Sequence, residues 1–342
     1  MAAVVVPGRG RWIGTVGYAN DERRIAMDPT FQSRIGSVTK TLTGMLVLKE
    51  IADGNLALDD TLDRWYPTIP KSDQITIAML LNMSSGINDY LNSDILTTAE
   101  QLMVDPKRRY RPDALIAKGA ALPRLFKVPG TQFAYSNTNT VILGRILERE
   151  SGVAFSELLT THVLTPLGLS RTFLDTAGDM EAPHAQTYSD VFSIDPNVPP
   201  IGRTTGWSQS FVWTAGGAAS TIEDLARWGR ALGTGRGVIP PSLAADRLDA
   251  CAPPQVKNRK ITVAYCLGVI AVRDTDSGRP ITLWHNGRVF GSVAYVGYYP
   301  VTGAVVAIMA NSDMAGPDGE AVSMRGKAAI EAAIPHLLGL AK

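Results

Sequence analysis

Gly36-Ser37-Val38-Thr39-Lys40-Thr41 sets a serine and a lysine three residues apart at the head of an apolar stripe. Beyond it, up to Asp53, apolar residues fall at Val38, Leu42, Met45, Leu46 and Ala52, and Leu48 and Ile51 widen the stripe. That period is helical, and its width predicts a helix buried on most sides. Gly54 supplies the stop. Positions i and i+3 share a helix face, so Lys40 stands beside Ser37. If Ser37 begins the helix, its hydroxyl lies where unpaired N–H groups and the positive helix end favour developing negative charge. A serine hydroxyl is a poor nucleophile without a base. Lys40 serves as one when desolvation or a neighbouring cation lowers its pKa. By themselves the two residues fit a helix cap and a surface lysine better, because so short a spacing recurs by chance.

Two downstream triplets change that balance. Tyr135-Ser136-Asn137 follows Pro129-Gly130-Thr131 and precedes a helical stretch. A phenol beside a lysine relays protons, and an amide holds a substrate carbonyl or amide. Alone, the triplet reads as a helix cap with a packed tyrosine. His285-Asn286-Gly287 ends the strand-like run Ile281-Thr282-Leu283-Trp284. A glycine there permits close backbone approach to a ligand, and a strand edge beside a nucleophile can pair with an extended acyl substrate. The backbone N–H groups of Arg288 and Ser37 can then form an oxyanion hole. The plain alternative is a β-turn with a structural histidine.

The rest of the chain narrows the field. Of 342 residues, 45% are hydrophobic and 19% charged, which is globular composition with ample material for a core. The net charge of +1 gives no electrostatic case for nucleic acid or an anionic membrane, and Lys107-Arg108-Arg109 with Arg111 reads as a solvated loop. No run approaches the ~18 apolar residues of a membrane span. Cys251 and Cys266 allow one disulfide, which spacing leaves open. The histidines at 162, 184, 285 and 336 are scattered, with no H-E-x-x-H, no paired C-x-x-C, no G-x-S-x-G and no phosphate-binding P-loop. Gly233-Thr234-Gly235-Arg236-Gly237 follows a helix, the wrong context for a dinucleotide.

Strand patterns stand at both ends. Residues 2–6 and 11–19 flank Pro7-Gly8-Arg9-Gly10 as a β-hairpin, and residues 261–272, 281–285, 292–299 and 304–310 read as an antiparallel meander. Between them, residues 78–81, 115–121, 140–150 and 155–163 read as helices. Ser220-Thr221-Ile222-Glu223 resembles a capping box opening a helix through Leu232, closed by Gly233. Residues 320–340 read as a final helix. The expectation is one domain over 1–342: an α/β subdomain from 1–60 and 222–342 around one antiparallel sheet, and a mainly helical subdomain over 61–221.

Taken in order, the motifs resemble those of the serine β-lactamase/D-alanyl-D-alanine carboxypeptidase superfamily. The branch holding class C β-lactamases, D,D-carboxypeptidases and β-lactamase-like esterases is the most similar. The likeness covers nearly the whole chain. It is carried by residues 31–41, by Ile75-Thr76-Ile77-Ala78-Met79-Leu80-Leu81 with Ser84-Ser85-Gly86-Ile87, and by Pro129-Gly130 before Tyr135. Pro166-Leu167-Gly168-Leu169 and Ala215-Gly216-Gly217-Ala218-Ala219-Ser220-Thr221 extend it. The resemblance implies an α/β (α+β) transpeptidase-like fold, an antiparallel sheet flanked by helices with a mainly helical insertion.

It also implies roles. Ser37 is the acylated nucleophile, Lys40 and Tyr135 are the proton-transfer pair, and Asn137 orients the acyl side chain. His285 stands where many relatives carry the lysine of K-T-G, and Gly287 lets substrate lie against the strand. Acylation is followed by hydrolysis or transfer, with no metal or organic cofactor. The implied partner is a small acyl substrate: a D-amino-acid peptide, amide, ester or β-lactam. Three positions depart from the pattern. Asn286 replaces a threonine, Met83 a histidine, and Ile270 falls where relatives with H-T-G place a carboxylate-binding arginine. Arg288 is the candidate replacement. A helix that relatives pack before the first strand is missing, which suggests a trimmed chain; an upstream export signal would make it a cell-envelope protein, otherwise a cytoplasmic one. Peptidase or amidase is the leading expectation, carboxylesterase the alternative, and a penicillin-binding sensor without turnover the alternative of another class. Trp207 and Trp213 fit cleft or core equally.

Overall fold

The computed structural model describes residues 1–92, 95–191 and 201–314. The helix expected over 320–340 lies outside them. Eight strands form the main sheet and are numbered here in chain order: β1 Ala2–Val6, β2 Gly10–Gly14, β3 Val256–Lys257, β4 Ile261–Cys266, β5 Val269–Asp274, β6 Pro280–Val289, β7 Ser292–Tyr299 and β8 Ala304–Ala310. Their order is β3-β4-β5-β6-β7-β8-β1-β2, with antiparallel neighbours throughout. Strand β1 pairs with β8 in the register Ala2↔Ile308 to Val5↔Val305, so the two ends of the described chain share one sheet. The N-terminal hairpin is shorter than its sequence pattern. Strand β2 stops at Gly14, and Tyr18–Asn20 pairs separately with Ile25–Ala26. Cys251 and Cys266 form a disulfide.

Helix α1, Thr39–Ala52, is buried along every residue from Thr39 to Leu48, as the width of its stripe requires. Helix α2, Asn137–Ser151, runs beside it. Helix α3, Ile222–Thr234, lies against β7, β8 and β1. Its approach is close enough that a Cβ on Gly229 would meet a Val305 methyl at 2.5 Å, so only glycine fits there. Trp228 of α3 donates its indole N–H to Thr41 Oγ1 at 2.8 Å, which ties α3 to α1. The capping box is displaced by one residue. Thr221 is the cap, accepting from Asp224 N, because the Ser220 hydroxyl is already held by Thr172 Oγ1 at 2.8 Å. The helix then runs past Leu232 to Thr234 and closes at Gly235.

Helices in the middle of the chain include Ile77–Leu81, Ile95–Val104, Pro112–Ala121 and Phe155–Leu159, the last followed by a π turn over Thr160–Leu164, and a short helix at Pro241–Asp246 follows α3. The Ile95–Val104 helix has no counterpart in the sequence reading. Among the described residues no helix is long and apolar enough to cross a membrane.

A second, three-stranded sheet carries the chain into α1. Ser33–Arg34 pairs with Ala218–Ser220, which pairs with Phe173–Leu174. Arg34 is fully buried here. Its Nε and Nη2 donate to Asp175 Oδ2 at 3.4 and 3.3 Å, and its guanidinium also donates to the carbonyls of Thr204, Thr205 and Trp207. One side chain therefore binds the residues before the Ser37 turn to the 204–207 loop. Removing one partner of a buried ion pair strands the other charge. We expect Arg34→Met to lose about 3–5 kcal/mol of stability in urea unfolding; a loss under about 1 kcal/mol would mean that Asp175 finds other donors.

Candidate active site

The chain leaves the small sheet at Ile35 and turns through Gly36, whose φ of +51° is in the left-handed region. A 3-10 turn over Gly36–Val38 presents Ser37, and α1 follows. The turn touches β6 backbone to backbone. A Cβ on Gly287 would lie 1.9 Å from Ile35 O and 2.8 Å from Ser37 N, and one on Gly36 would lie 2.6 Å from Arg288 N. Both glycines are required by space. The two main-chain nitrogens that the sequence nominates, those of Ser37 and Arg288, both lie at this contact between the turn and β6.

Lys40 sits one turn into the interior, 2% exposed. Its Nζ lies 3.0 Å from Ser37 Oγ, 2.6 Å from Asn137 Oδ1 and 2.6 Å from the Ala215 carbonyl. Burial lowers its pKa to about 7, against the opposing pull of the Asp89 carboxylate. A neutral amine has two N–H groups and one lone pair. The two carbonyl-type oxygens take both N–H groups, which leaves the lone pair for the Ser37 hydroxyl.

Tyr135 lies near both Ser37 and Lys40. Lys40 Nζ stands 4.9 Å from its ring centroid, and its phenol lies close enough to Ser37 for the serine to affect its titration. Burial raises the phenol above its ordinary range, Ser37 lowers it, and Asp89 raises it again. The hydroxyl thus keeps its proton at neutral pH.

Asn137 begins α2. Its side-chain N–H donates to Asp89 Oδ2 at 2.7 Å and its backbone N–H to the same oxygen at 3.1 Å, while its Oδ1 faces Lys40. The sequence assigns this amide to the acyl group; here it spans Asp89 and Lys40. Asp89 caps the helix and fixes which way the amide points.

His285 is buried, with Nε2 3.0 Å from the Tyr265 hydroxyl and Nδ1 2.5 Å from the Asn286 carbonyl. A carbonyl only accepts, so Nδ1 carries the proton and Nε2 accepts from Tyr265. Burial first, and Lys40 second, push the imidazole down to about 3, so it is neutral. Asn286 is exposed on the opposite side of β6. Arg288 is also exposed, its Nε 3.5 Å from Asp313 Oδ2. Ile270 pairs with Tyr265 on the neighbouring strand and packs with Met83 in an apolar cluster that Tyr135 borders, so no guanidinium stands there. Trp207 and Trp213 both take the core option, against Phe290 and Phe155.

The structure therefore brings together Ser37, Lys40, Tyr135, Asn137 and the Gly287–Arg288 backbone. It adds Asp89, the Ala215 carbonyl, Tyr265 and Asp313, to none of which the sequence reading gave a role at the site. Asp89 follows the Ser84-Ser85-Gly86 loop that it did quote, which is the one available signal. Catalysis by neutral Lys40 should rise with pH through about 7 and level off above it. In Asp89→Asn the inflection should move to lower pH, because the charge holding the ammonium is gone; an unmoved inflection would separate Asp89 from Lys40. Nitrogen NMR of His285 at neutral pH should report the Nδ1–H tautomer, and a cationic ring would contradict the assignment.

Comparison with known proteins bears on the fold and the family. A D-stereospecific amidohydrolase from Streptomyces superposes with a TM-score of 0.78 at 27% identity, covering 91% of this chain and 88% of that one. D-amino acid amidase from Ochrobactrum anthropi SV3, in complex with L-phenylalanine amide, gives a TM-score of 0.80 at 24% identity over 99% of this chain and 91% of its own. Protein flp of Staphylococcus aureus strain MW2 is 30% identical over 162 residues, 46% of this chain and 30% of that protein. The beta-lactamase of Escherichia coli K12 is 26% identical over 228 residues, 66% of this chain and 54% of that protein. The chain thus spans only a third to about half of these curated relatives. The fold is the antiparallel sheet and helices of the β-lactamase and transpeptidase type. The Beta-lactamase family model matches residues 1–329, and the chain belongs to that family.

Proposed function

We propose that this protein is a hydrolase that forms an acyl-enzyme at Ser37, acting on amides or esters of D-configured amino acids or short peptides. One observation carries the reading: the buried Lys40 amine, with a pKa near neutrality, 3.0 Å from Ser37 Oγ. The likeness to the Streptomyces D-stereospecific amidohydrolase supports the substrate class.

The steps follow from the protonation states. Ser37 Oγ attacks the acyl carbon while its proton passes to Lys40 Nζ. The N–H groups of Ser37 and Arg288 receive the developing oxyanion. The leaving nitrogen or oxygen takes the proton of the Tyr135 hydroxyl, which Lys40 then restores. Water attacks the acyl-enzyme by the reverse transfers, releasing the acid and free Ser37. Ile270 in place of a guanidinium, and Asn286 in place of a hydroxyl, favour substrates whose leaving end carries no carboxylate. That weighs for amidase or esterase over trimming of a terminal D-alanine.

The test is intact-protein mass after mixing with a β-lactam and, separately, with a short-chain p-nitrophenyl ester. Ser37-dependent ester turnover without a lasting adduct is the expected result. A persistent β-lactam adduct would mean a penicillin-binding protein with slow deacylation. If Ser37→Ala behaves like wild type with both reagents, the acyl-enzyme reading fails. Lys40→Ala should lower the acylation rate by about 10²–10⁴-fold, the range of a general base.

A further inference from the structure

The basic stretch that the sequence reads as a solvated loop gathers around one recess. A cleft of about 330 Å³ takes its walls from the Ile95–Val104 and Pro112–Ala121 helices, a size at the small end for ligand sites. Arg108, Arg109, Arg111 and Lys118 line it, and among the described residues no carboxylate does. Leu91, Tyr110 and Phe211 supply apolar surface. Ser37, Lys40, Tyr135 and Asn137 do not line it, so it is separate from the centre described above.

A guanidinium carries five N–H donors. Arg109 donates from Nη1 to the Thr176 carbonyl at 2.9 Å, and Arg108 stands over the Tyr110 ring, 5.8 Å from its centroid. No ion pair joins any of the three arginines to a carboxylate among the described residues. The two acids within residues 105–118 are held by other groups. Asp105 Oδ1 accepts the Lys107 backbone N–H at 3.2 Å, and Asp113 pairs with Arg145 and Arg149. The ten-residue helix Pro112–Ala121 adds a further positive end. Arg111 is its cap residue, no side chain closes that end, and Ala114 of its first turn lines the cleft. Like charges gathered at one recess repel one another, and a bound oxyanion offsets that repulsion.

We infer that this cleft binds a small organic anion, a carboxylate or a phosphate monoester. Its charged oxygens lie on Arg108, Arg109 and Arg111, and its apolar body lies against Leu91, Tyr110 and Phe211. Guanidinium forks meet both kinds of oxyanion through parallel, charge-assisted hydrogen bonds, which a neutral hydroxyl cannot match. The Tyr110 and Phe211 rings brace each other edge to face, with centroids 6.4 Å apart, so the apolar surface is held in place. The site is independent of the acyl-enzyme reading.

Isothermal titration of the full chain with phenyl phosphate, 3-phenylpropionate, 3-phenylpropan-1-ol and inorganic phosphate tests this without needing turnover. Both organic anions should bind at least about tenfold tighter than the alcohol. Phenyl phosphate should also exceed inorganic phosphate at least about tenfold, because its ring is buried. The double variant Arg109→Gln, Arg111→Gln should lose the margin over the alcohol, with a thermal melt to report folding. If it does not fold, Arg111→Gln alone decides, since that side chain is exposed. Ser37→Ala should keep the margin, which separates this cleft from the centre at Ser37. Equal binding of the alcohol and the anions overturns the proposal. So does a margin that survives loss of the arginines or vanishes in Ser37→Ala, or inorganic phosphate binding as tightly as phenyl phosphate. Tighter phenyl phosphate assigns the cleft to a monoester and tighter 3-phenylpropionate to a carboxylic acid; either order upholds the site.

Discussion

The withdrawal of the Lys40 amine from water organises the centre of this molecule. An ammonium moved into an apolar interior is strongly disfavoured, and the group responds by giving up its proton. The surroundings then determine what the neutral amine does. Asn137 Oδ1 and the Ala215 carbonyl, each at 2.6 Å, occupy its N–H groups. They come from different parts of the chain, α2 and the loop that leads into the small sheet. Their convergence leaves the lone pair of a hidden lysine facing one hydroxyl. Asp89 acts one layer further out, by orienting the Asn137 amide and by moderating how far the lysine's proton affinity falls.

The second constraint is steric. The Ser37 turn and β6 touch through Gly36 and Gly287 with no room for a side chain on either. Backbone contact of this kind is stiffer than side-chain packing, since it cannot relax by a rotamer change. It sets the spacing between the Ser37 hydroxyl and the main-chain N–H groups of Ser37 and Arg288. The buried Arg34 guanidinium supports that arrangement from behind by joining four separate acceptor positions on the Asp175 and 204–207 segments.

Much of this was legible in the residues because each motif is local. Ser37 and Lys40 share one helix face, Asn137 starts a helix, and Gly287 follows a strand, so each can be read within a short window. The strands at both ends, alternating with turns, likewise disclosed one sheet built from distant segments. What escaped the reading depends on contacts between windows. Asp89 meets Asn137 across 48 residues, and nothing in its own neighbourhood marks it. Ala215 contributes only a carbonyl, which every residue type has. Tyr265 acts on His285 from two strands away. The displaced cap at Thr221 has the same cause: Thr172, far along the chain, had already taken the Ser220 hydroxyl. Strand β2 ended early where Gly14 and Gly17 bracket the turn away from the sheet.

The pairing of β1 with β8 carries a consequence for synthesis. The first strand waits for a partner about 300 residues behind it on the ribosome, with Ala2 opposite Ile308. Until β6 emerges, the Ser37 turn also lacks the surface that completes it. A nascent chain stopped before residue 287 holds Ser37, Lys40 and Tyr135 without the β6 backbone that packs against the Ser37 turn. Sheet closure of such long range is slow and leaves strand edges open meanwhile. On the acyl-enzyme reading proposed above, the chemistry is withheld until the meander closes, so a partly made chain carries Ser37 without its second main-chain donor.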